Sequence, residues 1–129
     1  EVQAPERIFE PPAGISLLDV RWDNGLRLVG YVLTEVSVTL YWTNDEVVQT
    51  NLRRFAHVLN AEGAMLQVID GVPVDWTRPI ASWLPGEYVV DTLSLNVVRG
   101  QTLRIGFYDS VTYARIPREN TDVFDLIIP

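Results

Sequence analysis

The chain has 129 residues, 47% hydrophobic and 21% charged, with a net charge of −7 and no cysteine. That length suffices for one domain with its own core, and the missing thiols exclude disulfides and thiolate chemistry while fitting either redox compartment. All ten basic residues are arginines, and an acidic chain with dispersed arginines repels phosphate, which argues against nucleic acid or an anionic membrane surface as partner.

No apolar run approaches the roughly 20 residues needed to cross a bilayer, so this segment is not expected to insert directly. A chain that starts at Glu1 is expected to be a processed product or a piece of a longer protein, with any signal or spanning segment outside it. Residues 1–14, rich in proline and glutamate, read as an extended arm clamped along the body by Ile8 and Phe9. Residues 15–129 contain no repeat and no linker, and read as a single domain.

From there the hydrophobic period is two. Strands are expected in "ISLLDVRW", "LRLVGYVLT", "VSVTLYWT", "LRRFAHVLN", "AMLQVID", "YVVDTLSL", "QTLRIGFYD", "TYARIP" and "VFDLIIP". In the third, Val36, Val38, Leu40 and Trp42 alternate with polar or amphipathic residues, and in the seventh Leu103, Ile105 and Phe107 do so. Turn chemistry separates the runs: Asn24-Gly25, Asn60 to Gly63, Arg99-Gly100 and Asp109 to Thr112. Eight or nine short antiparallel strands with little or no helix predict an all-β sandwich, Ig-like or jelly-roll-like. The exceptional connection is "GVPVDWTRPIASWLPGE", residues 71–87, whose length marks a functional or cross-sandwich excursion.

The succession "VSVTLYWT", "FAHVLNAEGAMLQVIDGVPV", "SWLPGEYVVDTLSL", "LRIGFYD" and "ARIP" resembles a bacterial domain of unassigned function. Domains of that type follow the membrane-spanning part of proteins resembling protein mannosyltransferases and other lipid-sugar-dependent glycosyltransferases. The resemblance covers about residues 28–117 and rests on Trp42, His57, Asp70, Pro73, Trp83, Pro85, Gly86, Glu87, Asp91, Tyr108 and Asp109, in that order. Asn60, Ser110 and Tyr113 depart from its turns. It implies a β-sandwich on the extracytoplasmic side of a bacterial membrane, as part of a larger membrane protein, and it supplies no catalytic residues.

The lone histidine, His57, shares strand parity with Phe55 and Leu59, which predicts an imidazole facing the core. A general base needs a nucleophile within reach, and a zinc site needs three or four His or Cys ligands; the sequence offers neither. His57 therefore reads as a structural clasp, oriented by Asp70 or Asp91 with Trp83 packed against it. The carboxylates are too dispersed to form a calcium loop, and their spacing selects no pair for glycoside hydrolysis. No metal or other cofactor is expected. Trp76, beside Asp75 and Arg78 in the long connection, is the candidate sugar-stacking platform; a place in the core is the alternative, and both readings stay open. The expectation is a non-catalytic extracytoplasmic interaction domain of a membrane-associated, glycosyltransferase-like protein, whose partner is the parent protein, a neighbouring domain or a glycan. The alternative is a carbohydrate-binding module using loop aromatics.

Overall fold

The computed structural model describes residues 6–129. The period-two pattern resolves into β1 (Ser16–Arg21), β2 (Leu26–Leu33), β3 (Val38–Asn44), β4 (Leu52–Leu59), β5 (Met65–Gly71), β6 (Val89–Leu93), β7 (Thr102–Asp109) and β8 (Phe124–Ile127). They form two four-stranded antiparallel sheets, ordered β1-β2-β3-β6 and β5-β4-β7-β8, which face one another as a β-sandwich. The helical content among the described residues is one 3₁₀ turn, Ile80–Ser82, inside the long connection. No helix among those residues is long and apolar enough to cross a membrane.

Each inner face carries one parity class of each strand. Val38, Leu40 and Trp42 of β3 meet Leu52, Ala56 and Val58 of β4 and Leu103, Ile105 and Phe107 of β7 in one buried cluster. At one end of it Trp22, Trp42 and Phe107 pack with centroid separations of 5.0 to 5.8 Å and tilted or edge-on planes, the geometry favoured by the ring quadrupole. The β1–β2 hairpin closes on Asn24-Gly25: Gly25 takes φ +93° and the Asn24 Oδ1 accepts from the Leu26 N–H at 3.2 Å. Gly25 alone of the pair is left-handed, so the loop is not the two-residue turn with both central residues at positive φ but a longer one, closed by the Gly25 N–H on the Trp22 carbonyl, in which glycine supplies the left-handed position.

The strand expected in "TYARIP" does not form. Tyr113 adopts φ +62°, which an extended strand excludes, and only an isolated bridge joins Arg115 to Tyr108. The segment folds instead over the outer face of the second sheet, with the Arg115 guanidinium 4.6 Å from the Phe55 ring centre. The arm meets the body at Ile8, through its backbone and not through apolar burial. Ile8 and Phe9 are exposed, and the arm is held by the Tyr88 N–H donating to the Ile8 carbonyl (2.7 Å) and by Arg7 on Glu87. Its first five residues lie outside the described ones.

Two charged residues sit at core parity. Arg54 lies between Leu52 and Ala56 on β4, and Asp91 between Val89 and Leu93 on β6, so the sandwich brings opposite charges face to face across the layers. The Arg54 Nε donates to Asp91 Oδ2 at 2.8 Å and its second guanidinium nitrogen to Oδ1 at 3.3 Å, with side-chain exposures of 3% and 0%. Trp42 Nε1 (3.3 Å) and the Val74 N–H (2.9 Å) also donate to this carboxylate, while Arg54 donates to the Ile69 carbonyl at 3.1 Å.

Removing one partner of a buried pair leaves the other charge unsatisfied, a loss of about 3–5 kcal/mol, whereas replacing both by apolar groups is far milder. Asp91→Ala is therefore expected to lower urea-unfolding stability by about that amount, and Arg54→Met with Asp91→Leu to recover only part of it, because the Trp42 indole N–H and the Val74 N–H lose their acceptor in both variants.

Candidate functional site

β5 and β6 are edge strands of opposite sheets on the same side of the sandwich. Between them opens a cleft of about 290 Å³, lined by Asp70, Gly71, Asp75, Trp76, Thr92 and Ser94, with Arg54, Ile69, Val72 and Leu93 among its remaining walls. A second cleft of about 230 Å³ lies alongside and includes Leu52, Arg53, Pro79 and Ile80. Val72 and Trp76 line both and thus form the wall between them.

The local backbone explains how Trp76 comes to stand there. Val74, Asp75 and Trp76 have φ of 58°, 52° and 67°, a single left-handed turn made without glycine. Such residues each carry roughly 1–2 kcal/mol of strain, and a β-branched valine is an extreme case. The turn is closed by the Trp76 N–H on the Val72 carbonyl (2.9 Å) and the Arg78 N–H on the Pro73 carbonyl (3.1 Å). Its first amide is tied to the buried Asp91. Trp76 remains 57% exposed, with Arg53 5.2 Å from its ring centre, a cation–π distance. The indole edge lies against Gly71, where a Cβ would come within 2.8 Å of it.

Asp75 and Trp76 thus share the cleft; Asp70 borders it from the end of β5, but its carboxylate lies on the outer face of the sheet with His57. Arg78 does not line it. Its guanidinium turns away to Glu87, at 2.7 Å, because Glu87 has no solvent-exposed surface and requires counter-charge. Glu87 also receives Arg7 at 2.7 Å and the Leu84 N–H at 3.0 Å. Burial alone would raise the Glu87 carboxyl; the Leu84 N–H, Arg78 and Arg7 outweigh it and hold the group below the ordinary carboxylate range.

The clasp expected around His57 divides into two separate contacts. His57 shares a face with Phe55, but that face is the outer one: the alternate residues Leu52, Ala56 and Val58 fill the interior. Phe55 is buried from outside, by Arg115 and the segment after β7. The imidazole lies 5.1 Å from the Phe55 ring, centre to centre, with its Nε2 3.3 Å from Asp70 Oδ1. Asp91 belongs to Arg54 instead. Trp83 is fully buried and donates its Nε1 proton to the Arg78 carbonyl at 3.2 Å.

Gly71, Thr92 and Ser94 were not singled out from sequence as parts of this region. For Arg54 and Asp91 the available signal was parity, a charge at an inward position on each of two strands.

No family model matches the chain, and no curated protein matches it. Among solved structures it is similar to β-glucuronidase 2 of Bacteroides uniformis, covalently bound to cyclophellitol-6-carboxylate aziridine, at 12% identity and a TM-score of 0.41. The match covers 81% of this chain but spans 13% of that enzyme's chain.

Two outcomes follow from the geometry. Gly71→Ala must push the indole off β5, and is expected to change the tryptophan emission and expose Trp76 to acrylamide quenching; an unchanged quenching profile would contradict the seat described. Glu87 contributes stability that is complete above the carboxyl pKa of the unfolded chain and is lost as pH falls through the lower folded value. Glu87→Gln is expected to flatten the acid limb of a stability-versus-pH curve measured by urea unfolding.

Proposed function

We propose that this chain is a non-catalytic accessory domain that binds a glycan through the cleft between β5 and β6, with Trp76 as the stacking platform. The observation that carries the reading is the exposure of Trp76, at 57%, within a cleft that Asp75 and Ser94 also line. A flat indole face covers the apolar C–H face of a sugar ring, and Asp75 and Ser94 line the same cleft with groups that can hydrogen-bond its hydroxyls. Gly71 and the left-handed turn support it further, because they hold the indole in one pose before any ligand arrives.

The non-catalytic character rests on the sequence and the setting of its one imidazole. The chain has a single histidine and no cysteine, and that histidine is packed against Phe55 and held by Asp70. The setting outside the membrane, as a domain of a larger glycosyltransferase-like membrane protein, rests on the sequence resemblance. On this reading the domain holds a glycan acceptor near the parent protein.

Titration of the 129-residue chain with a panel of neutral, acidic and amino-bearing oligosaccharides, followed by calorimetry, tests the proposal. Binding of at least one class is expected. Trp76→Ala should weaken it about tenfold or more, equivalent to about 1.4 kcal/mol, with the unfolding midpoint little changed because the indole is mostly exposed. No binding by any class, or full affinity in Trp76→Ala, would overturn the reading.

A further inference from the structure

A second aromatic is held out in the left-handed region. Tyr113 has φ +62° and is 69% exposed, with its N–H donating to the Asp109 carbonyl at 2.9 Å. The Asp109 carboxylate accepts the Val111 and Thr112 amides at 2.8 and 3.0 Å and so braces the turn that presents the ring. Tyr113 stacks on Tyr108, with 6.0 Å between centres and 29° between planes. Tyr108 in turn stands directly opposite Arg53 in the β4–β7 ladder, a same-face neighbour, and Arg53 lies over Trp76. The four side chains form one row with a strained, exposed aromatic at each end. Strain of this kind persists only where the surroundings impose it, and it gathers at ligand-binding surfaces.

The cation in the middle of the row is free. Arg54, Arg78 and Arg115 are each committed to a carboxylate; Arg53 makes no such pair among the described residues. It lines the second cleft with Asn51 and Ser110, and no carboxylate of the described residues joins it there. Because Trp76 walls both clefts, Arg53 covers the indole face turned to the second and leaves open the face turned to the first.

We infer that the glycan is an acidic oligosaccharide laid along this row, stacked on Trp76 and Tyr113, with a sugar carboxylate on the Arg53 guanidinium between them. The inference rests on the glycan-binding reading and adds the charge class of the ligand and a second platform. A guanidinium presents a planar fork of donors that matches a carboxylate, and Asn51 and Ser110 place neutral hydrogen-bonding groups in the same cleft. A neutral sugar would leave that fork with the indole alone. The net charge of −7 opposes an anion at a distance. Salt near ~0.15 M screens that field beyond about 8 Å, whereas a half-buried contact pair is much less affected.

The test titrates the chain, by calorimetry, with a galacturonate tetramer, its methyl ester, a sialylated trisaccharide and sodium acetate. At least one of the two acids is expected to bind about tenfold tighter than the neutral ester, and the tighter one tells whether the carboxylate belongs to a uronic or a sialic acid. Arg53→Gln should erase that margin and leave the ester's affinity unchanged, while Arg53→Lys, which keeps the charge without the fork, should retain part of it. Tyr113→Asn suits the left-handed backbone and removes only the ring; it should weaken the preferred acid several-fold with the unfolding midpoint unchanged. Equal affinity for acids and ester, or a margin that survives Arg53→Gln, would overturn the charge assignment while leaving glycan binding intact. Full affinity in Tyr113→Asn would overturn the second platform. Acetate binding as tightly as the preferred acid would overturn the assignment too, since the site would then recognise a small anion and not a sugar. Absence of binding by every sugar tested would remove the glycan reading as well.

Discussion

The Asp91 carboxylate is the hinge on which both the packing and the cleft turn. It is fully buried, yet it receives the Arg54 guanidinium through two hydrogen bonds, the Trp42 indole N–H and the Val74 amide. Those donors come from β4 in one sheet, β3 in the other, and the long connection. One side chain therefore registers two layers and a loop against each other. A buried pair of this kind is weak as a source of stability, because desolvation consumes most of its attraction. Its contribution is to specify geometry: slippage of β4 or β6 by one residue would place a charge outside and leave its partner in the core.

Glu87 plays a similar part at the far end of the same connection. It gathers Arg7 from the arm and Arg78 from the loop, and receives the Leu84 amide. Residues 71–87 are thus fastened at each end to a buried carboxylate, Asp91 near the start and Glu87 at the finish. An excursion of this length without secondary structure would ordinarily be mobile; here its two anchors and the buried Ile80 and Trp83 side chains fix it to the sandwich.

The layer architecture was legible because alternation is a direct signature of a half-buried strand. In β7, Leu103, Ile105 and Phe107 all reach the interior as their spacing requires. The orientation of β4 was not legible by the same rule. Its two parity classes each mix apolar side chains with an arginine, and the bulkier one, Phe55 and His57, belongs to the outer face because a later segment folds over it. Side-chain bulk is no guide where a sheet is covered on both sides. The cleft was half legible. Trp76 and Asp75 stood out as loop residues, whereas Thr92 and Ser94 enter it only through the pairing of β6 with β3, a non-local fact that no local pattern encodes. Arg78 was misassigned for the same reason: its partner, nine residues on, is reached only through the fold of the connection.

The left-handed turn is the feature that packing alone does not account for. Three non-glycine residues with positive φ carry roughly 3 kcal/mol of strain or more. Trp76 leaves more than half its surface in water, so its burial returns about 2–3 kcal/mol, at the usual coefficient for apolar area. The remaining compensation comes from the Val74 amide on a buried carboxylate, a charge-assisted bond of about 1.5–3 kcal/mol. Strain and compensation nearly cancel, so the turn adds little to the stability of the sandwich. What it does achieve is to stand an indole upright at the open side, between two edge strands. A residue whose role was to cover those edges would lie flat on them and be buried. Trp76 is instead seated by its edge on Gly71 with Arg53 over the ring, and its exposed remainder is the observation on which the proposed glycan site rests.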